Sequence, residues 1–244
     1  MSAHSPVATP ANLPSLDHLV EEVAVAININ GINHAVMMAT RTISMILRSI
    51  AISVCESIIR HNHDVHDIRV YPAEHGFVLD VTIANRCLAQ LQLRRRSLTG
   101  ATGCGICGVE AVEQAFPPLP TLPLTPPLDS ALLAGLRAQI ARWQLKGQHS
   151  GALHAALALD EQGQILHCRE DIGRHNALDK LIGLLLRQQS ACDTLVVTSR
   201  CGSELVQKAV HFGAVILSVC TRIAAAGGQV GPQIQPQRRS YSQV

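Results

Sequence analysis

Glu170-Asp171-Ile172-Gly173-Arg174-His175-Asn176-Ala177-Leu178-Asp179-Lys180 reads as a strand running into a helix. Leu178, Leu181, Ile182 and Leu185 recur at helical spacing and give the helix one apolar stripe. Gly173 frees the backbone to turn between the two elements. Upstream, Leu153 to Leu159 is an apolar run of strand length, Asp160 to Gly163 a turn, and Gln164 to Cys168 the partner strand. Downstream, Thr194 to Ser199 is a continuous apolar strand of the kind buried on both faces. Glu204 to Phe212 follows as a helix with Leu205, Val206, Ala209 and Val210 inward and Gly213 to end it, and Ala214 to Val219 is a further strand. Strands alternating with helices predict an α/β fold built as a layered mixed sheet. Ligands on such sheets bind beyond the carboxyl ends of the strands, which sets Gly173-Arg174-His175 and Ser199-Arg200 as neighbours on one rim. A helix start with exposed amides beside Arg174 and His175 suits an anion; an ordinary charged helix start is the plainer alternative.

Working back toward the N-terminus, Asp129 to Lys146 is expected as a helix with Leu132, Leu133, Leu136, Ile140 and Trp143 on one face. Residues 117–127 hold six prolines and read as an extended linker rather than as a ligand for proline-binding domains. Residues 20–116 are the smaller, β-rich part. Glu22 to Asn30 alternates as a strand, Asn30-Gly31 signals a tight hairpin, and Asn33 to Ala39 returns. Arg41 to Arg60 is expected as a helix by its length. His61, His63 and His66 with Asp64 and Asp67 read as a solvated turn rather than a metal site. Ile68 to Tyr71 and Phe77 to Ala84 are expected strands joined across Pro72 to Gly76. Residues 1–19 and 221–244 have the composition of tails, and 128–220 form the α/β part.

The reactive chemistry gathers at Arg94-Arg95-Arg96-Ser97-Leu98-Thr99-Gly100-Ala101-Thr102-Gly103-Cys104-Gly105-Ile106-Cys107-Gly108. Glycines bracket the Cys-x-x-Cys pair, Cys104 and Cys107, and the arginines upstream favour the thiolate, the reactive form. By itself the pair leaves several readings open: half a zinc site, a thioredoxin-like redox pair, a sulfur-handling nucleophile, or plain structure. Gly108 directly after the pair, and the prolines from Pro117, weaken the redox reading, because such a pair normally opens a helix. Cys55, Cys87, Cys168, Cys192 and Cys220 read as small buried hydrophobes.

The chain has 244 residues, enough for one large or two modest domains, and its scarcity of aromatics, 2%, demands an aliphatic core. A net charge of +2 gives no reason to expect nucleic acid or a membrane surface as a partner. Residues 1–15 lack the basic and apolar regions of a signal peptide, and the most apolar segment, Ile43 to Ile59, is broken by Arg48 and Glu56. Cytoplasmic, reduced thiols are therefore expected.

The stretch from Arg94 to Glu110 resembles the FdhD family, the formate dehydrogenase accessory sulfurtransferases. Four further stretches support the resemblance in order: Glu21-Glu22-Val23, Gly31-Ile32 through Val36-Met37-Met38-Ala39-Thr40, Glu170 to Lys180, and Ser199-Arg200 through Glu204 to Ala209. The resemblance implies a fold like that of cytidine deaminases, without their zinc. It implies a sulfurtransferase that carries sulfur as a persulfide from a cysteine desulfurase to the molybdenum (or tungsten) bis(pterin guanine dinucleotide) cofactor, bound as substrate and required by formate dehydrogenase. The persulfide carrier falls on Cys104, with Cys107 assisting or discharging the persulfide as a disulfide. The cofactor's phosphates suit Gly173, Arg174, His175, Lys180, Ser199 and Arg200. A homodimer is the family-like assembly.

The pattern breaks twice, from Arg41 to Val54 and after Ser218, each time abruptly and beside well-matched sequence. We read both as reading-frame lesions, the second removing a last strand and cofactor loop; translation of the encoding DNA in the other frames tests this. Two rivals stand beside the sulfur carrier. One is a structural zinc module on Cys104, Cys107 and distant ligands such as His167 and Cys201; the other is the inactive product of a damaged gene.

Overall fold

The structure is a computed structural model that describes residues 20–41, 58–59, 62–89, 119–122, 135–219 and 235–236. Two mixed sheets form within these residues. The first has four strands in the order β2-β1-β4-β3: β1 (Glu22–Ile29), β2 (Ile32–Thr40), β3 (Val65–Ala73) and β4 (Gly76–Ile83). β1 and β2 are joined by Asn30-Gly31, both with positive φ (49° and 74°), which is the backbone a two-residue hairpin needs to match strand twist. Asn30 has a second task. Its side chain donates to the Ile83 carbonyl at 3.0 Å and accepts from the Ile83 amide at 2.7 Å, extending the parallel β1–β4 ladder past the end of β1. At the other end of that ladder Gly76 has φ of +154°, and a Cβ there would lie 2.0 Å from the Ala24 carbonyl oxygen. Only glycine lets the strands approach so closely. Pro72 lies within β3 rather than in a turn, tolerated because β3 is an edge strand.

One face of this sheet buries Val25, Ile27, Ile29, Leu79, Val81 and Ile83 with Ile58, Ile59 and Cys87. Of the helix expected over Arg41 to Arg60, only Arg41, Ile58 and Ile59 are among the described residues, and both isoleucines are buried. The expected solvated turn around His63 is partly a core element. Asp64, closing a 3-10 turn (Asn62–Asp64), is 1% exposed and pairs with Arg86.

The second sheet has the order β6-β5-β7-β8-β9, with β5 (His154–Leu159), β6 (Ile165–Asp171), β7 (Thr194–Val197), β8 (Val215–Ser218) and a two-residue β9 (Gln235–Pro236). β5 runs antiparallel to both β6 and β7, so β6, β7 and β8 point the same way and end on one rim. Helices cover both faces. α3 (Arg174–Gln188) and α4 (Ser203–Phe212) pack on one, through Leu178, Leu181, Ile182, Leu185, Leu205 and Ala209. α1 (Leu136–Trp143) lies on the other, through Leu136 and Ile140. Trp143, expected on that buried face, is 42% exposed. Trp143 keeps the helical spacing, seven residues after Leu136, but it is the last residue of α1, where the packed face ends. A short α2 (Gly147–Ser150) follows, its first amides held by the two oxygens of Glu170: Lys146 N at 3.0 Å and Gly147 N at 2.8 Å. No helix among the described residues is long and apolar enough to cross a membrane.

Candidate functional site at the strand-end rim

The C-terminal ends of β6 and β7 lead straight into α3 and α4, and this is where the two expected loops meet. The contact is ionic. Glu204, second residue of α4, accepts from Arg174 Nη2 at 3.0 Å and lies 3.1 Å from His175 Nε2, both through Oε1. One turn further along both helices, Lys208 Nζ donates to Asp179 Oδ1 at 2.9 Å. His175/Asp179 and Glu204/Lys208 are i, i+4 pairs, so each helix presents its two groups on one side and the rungs match. A Cβ at Gly202 would lie 2.3 Å from Glu204 Oε2, so the bare glycine makes room for the carboxylate to fold back over the helix start.

The charges of this network are set by burial and by each other. Burial pushes Glu204 up, but its own backbone amide, Arg174 and His175 outweigh this and hold it below the usual carboxylate range. Burial lowers His175, Arg174 and Lys208 lower it further, and Glu204 and Asp179 oppose them without winning. Near neutral pH the rim therefore carries an ionised Glu204, a charged Arg174 and an uncharged His175.

Below the rim a second polar cluster joins the two sheets. Asp171, fully buried, accepts from Thr40 N (3.0 Å), Gly173 N (2.8 Å), Asn176 Nδ2 (3.0 Å) and Lys180 Nζ (2.6 Å). Lys180 also donates to the Thr40 and Glu170 carbonyls, each at 3.3 Å. Asn176 reaches the Met38 carbonyl at 2.7 Å, and Thr40 Oγ1 accepts from Ile172 N at 3.2 Å. The end of β2 is thus bonded to the turn that launches α3. Every buried polar group in the cluster has partners, as burial demands.

The residues expected to hold phosphates separate accordingly. Gly173 caps α3, and Arg174, His175 and the exposed Arg200 lie on the rim. Lys180 does not: it is 1% exposed and its ammonium is committed to Asp171 and two carbonyls. Ser199 is also buried; its hydroxyl turns to the Arg200 carbonyl at 3.1 Å, and its own carbonyl accepts from Ser218 Oγ at 2.7 Å. Both shape the rim from beneath. Glu204, Lys208, Asp171 and Asn176 were missed by the sequence reading. For Asn176, Glu204 and Lys208 the signal was polar residues at helical spacing among apolar ones, which periodicity reads as the solvent face, and Asp171 is the last residue of β6.

Cys104 and Cys107 lie outside the described residues, as do Cys55 and Cys220. The other four cysteines, Cys87, Cys168, Cys192 and Cys201, lie among the described residues. Burial and Glu170 push Cys168 up to about 12, burial and Glu204 push Cys201 up to about 11, and burial raises Cys192 against two backbone hydrogen bonds. Cys87 is buried in the first core. Cys201 and His167, the distant ligands of the zinc reading, belong to no group of three or more His, Cys, Asp or Glu residues among those described.

Comparison with known proteins sets this geometry in a family. The FdhD/NarQ family model matches residues 20–231, a span that crosses both departures noted in the sequence. A protein of Cupriavidus necator named sulfur carrier protein FdhD is 38% identical over 221 residues, 90% of this chain and 76% of the relative. A Bordetella petrii protein of the same name is 39% identical over 205 residues, covering 83% of this chain and 73% of the relative. A Desulfotalea psychrophila crystal structure, named as a candidate formate dehydrogenase accessory protein, superposes with a TM-score of 0.59 at 20% identity, covering 81% of this chain and 73% of that one. Sequence and fold together establish that the chain belongs to the FdhD/NarQ family.

Proposed function

We propose that this chain is a sulfur carrier that takes persulfide sulfur from a cysteine desulfurase onto Cys104 and passes it to the molybdenum or tungsten pterin guanine dinucleotide cofactor for formate dehydrogenase. The relatives' shared name, sulfur carrier protein, supports the activity. The observation that carries the site is the state of the described thiols. A carrier must attack as a thiolate. Cys168, Cys192 and Cys201 are held protonated, and Cys87 is in a core. Cys104, bracketed by glycines and preceded by three arginines, has the opposite setting.

In the loading step the Cys104 thiolate attacks the outer sulfur of the donor's persulfide. A new S–S bond forms on Cys104, the donor's S–S bond breaks, and the donor cysteine leaves as a thiolate. For delivery, Cys107 attacks the Cys104 sulfur, a Cys104–Cys107 disulfide forms, and hydrosulfide leaves for the metal. A cellular thiol then reduces the disulfide. The acceptor's phosphates are placed at Gly173, Arg174, His175 and Arg200, where a helix start and two guanidinium groups favour anions. The helix-covered second sheet supports the expected likeness to cytidine deaminases, and we place the protein in the cytoplasm as a homodimer.

Native mass spectrometry before and after treatment with a cysteine desulfurase and cysteine tests this reading. One added sulfur, lost on reduction and absent in Cys104→Ala, is the expected result. Uptake that persists in Cys104→Ala overturns the site, and a folded chain that takes up no sulfur overturns the function.

A further inference from the structure

The rim network holds a residue that the proposed function does not use. Glu204 contributes a single oxygen, Oε1, to two side chains of another helix, Arg174 Nη2 at 3.0 Å and His175 Nε2 at 3.1 Å. It is 16% exposed at its side chain, against 27% for Arg174 and 28% for His175, so the acid lies beneath and the two bases nearer solvent. An ionised carboxylate only accepts hydrogen bonds. The imidazole nitrogen facing it must therefore be the one that bears hydrogen. In an uncharged ring the other nitrogen, Nδ1, is then a bare acceptor. The same carboxylate restrains the guanidinium of Arg174, whose remaining N–H groups are donors.

We propose that Glu204 is a positioning residue: it fixes the His175 proton on Nε2 and holds Arg174 beside it, so that the rim offers a ligand one acceptor and a guanidinium together. This deepens the proposed cofactor reading and rests on it for the identity of the ligand. The chemistry it favours is an anion linked to a group with N–H donors, as a guanine or pterin phosphate provides; phosphate alone would use only Arg174. The charged groups around the imidazole are Arg174 and Asp179 on its own helix and Glu204 and Lys208 on α4. Lys208 is engaged by Asp179, and Glu204 is the acid that contacts the ring, at 3.1 Å.

The test uses the full chain with its histidine rings labelled with nitrogen-15, and guanosine diphosphate as the probe. The two ring nitrogens of a neutral histidine have separate signatures, so the tautomer is read directly. In the native chain at neutral pH, His175 is expected as a single Nε2–H tautomer. In Glu204→Ala it becomes a mixture, and the titration midpoint of His175 falls because an acid that raised it is gone. Guanosine diphosphate binding weakens about tenfold, the scale of one charge-assisted hydrogen bond. Glu204→Gln, which keeps the size and one acceptor oxygen, retains much of the Nε2–H tautomer; this variant keeps the test open should the alanine variant fail to fold. An Nδ1–H ring in the native chain overturns the proposal. So does an unchanged tautomer in Glu204→Ala, or binding that is equal or tighter. If the native chain binds no guanosine diphosphate while the tautomer behaves as expected, the ligand assignment fails and the positioning role stands.

Discussion

Replacing Asp171 by alanine tests the polar cluster that ties the two sheets together. The carboxylate is fully buried and takes four hydrogen bonds, from Thr40, Gly173, Asn176 and Lys180. Its loss strands the Lys180 ammonium, itself 1% exposed, without its carboxylate partner. Breaking one side of a buried ion pair costs about 3–5 kcal/mol. The amides of Thr40 and Gly173 also lose their acceptor, at about 1–3 kcal/mol each before water enters the cavity. Relaxation removes part of this, so we expect a total loss of about 4–6 kcal/mol. That is a large share of the roughly 5–15 kcal/mol by which a domain is stable. Lys180→Met keeps the stem and leaves Asp171 with three N–H donors, so it costs less, about 2–3 kcal/mol. The double variant removes both charges and is expected to cost at least about 2 kcal/mol less than the sum of the singles. Urea unfolding followed by circular dichroism gives the three values. Single losses below about 1 kcal/mol, the level of a surface pair, would refute the buried-pair argument. So would additivity of the two changes within about 0.5 kcal/mol.

Acidification should destabilise the chain in two stages. His154, His167 and His175 are all lowered in the folded state, chiefly by burial, so the unfolded chain binds protons first and stability falls as pH drops below about 6.5. Glu204 is held low, so its contribution is present above the usual carboxylate value and is lost at still lower pH as it protonates; denaturation midpoints across pH 3–8 check the order, and a curve flat between about 7 and 5 would contradict it. Native-state alkylation at pH 8 should spare Cys201 and Cys168, whose thiolate fractions are roughly one part in a thousand and one in ten thousand at pKa values of about 11 and about 12. Peptide mapping that finds either among the first modified sites would count against those environments. Gly76→Ala should lower stability by about 3 kcal/mol or more, because a Cβ would meet the Ala24 backbone oxygen at 2.0 Å in a conformation that L-residues avoid; a thermal midpoint equal to the native one would contradict the close approach.

The rim shows how far sequence reasoning reached. Arg174, His175 and Arg200 could be placed there because strand-to-helix turns on a shared sheet edge follow from hydrophobic alternation alone. Lys180 has a spacing after Arg174 that suits a ligand, and nothing local says that β2 arrives above it or that its ammonium pairs with Asp171. Ser199 likewise is turned inward to bonds with Arg200 and Ser218, a placement that no local pattern shows. Trp143 was assigned to the buried face by period, and the early end of α1 left it outside.

By itself the sequence determined most of the described strands and helices, their order, the hairpin at Asn30-Gly31 and the α/β class, since each rests on periods and turn residues within a few positions. It also carried the family motifs, in which Cys104 and the Arg174-His175 pair are legible as residue types. Only the tertiary structure decided which polar residues are partners: Glu204 with Arg174 and His175, 30 and 29 positions away, and Asp171 with Thr40, 131 away. Those pairings come from burial in common, and burial is a property of the packed chain. A charged side chain at a given helical position reads the same in one dimension whether water or a second sheet lies above it.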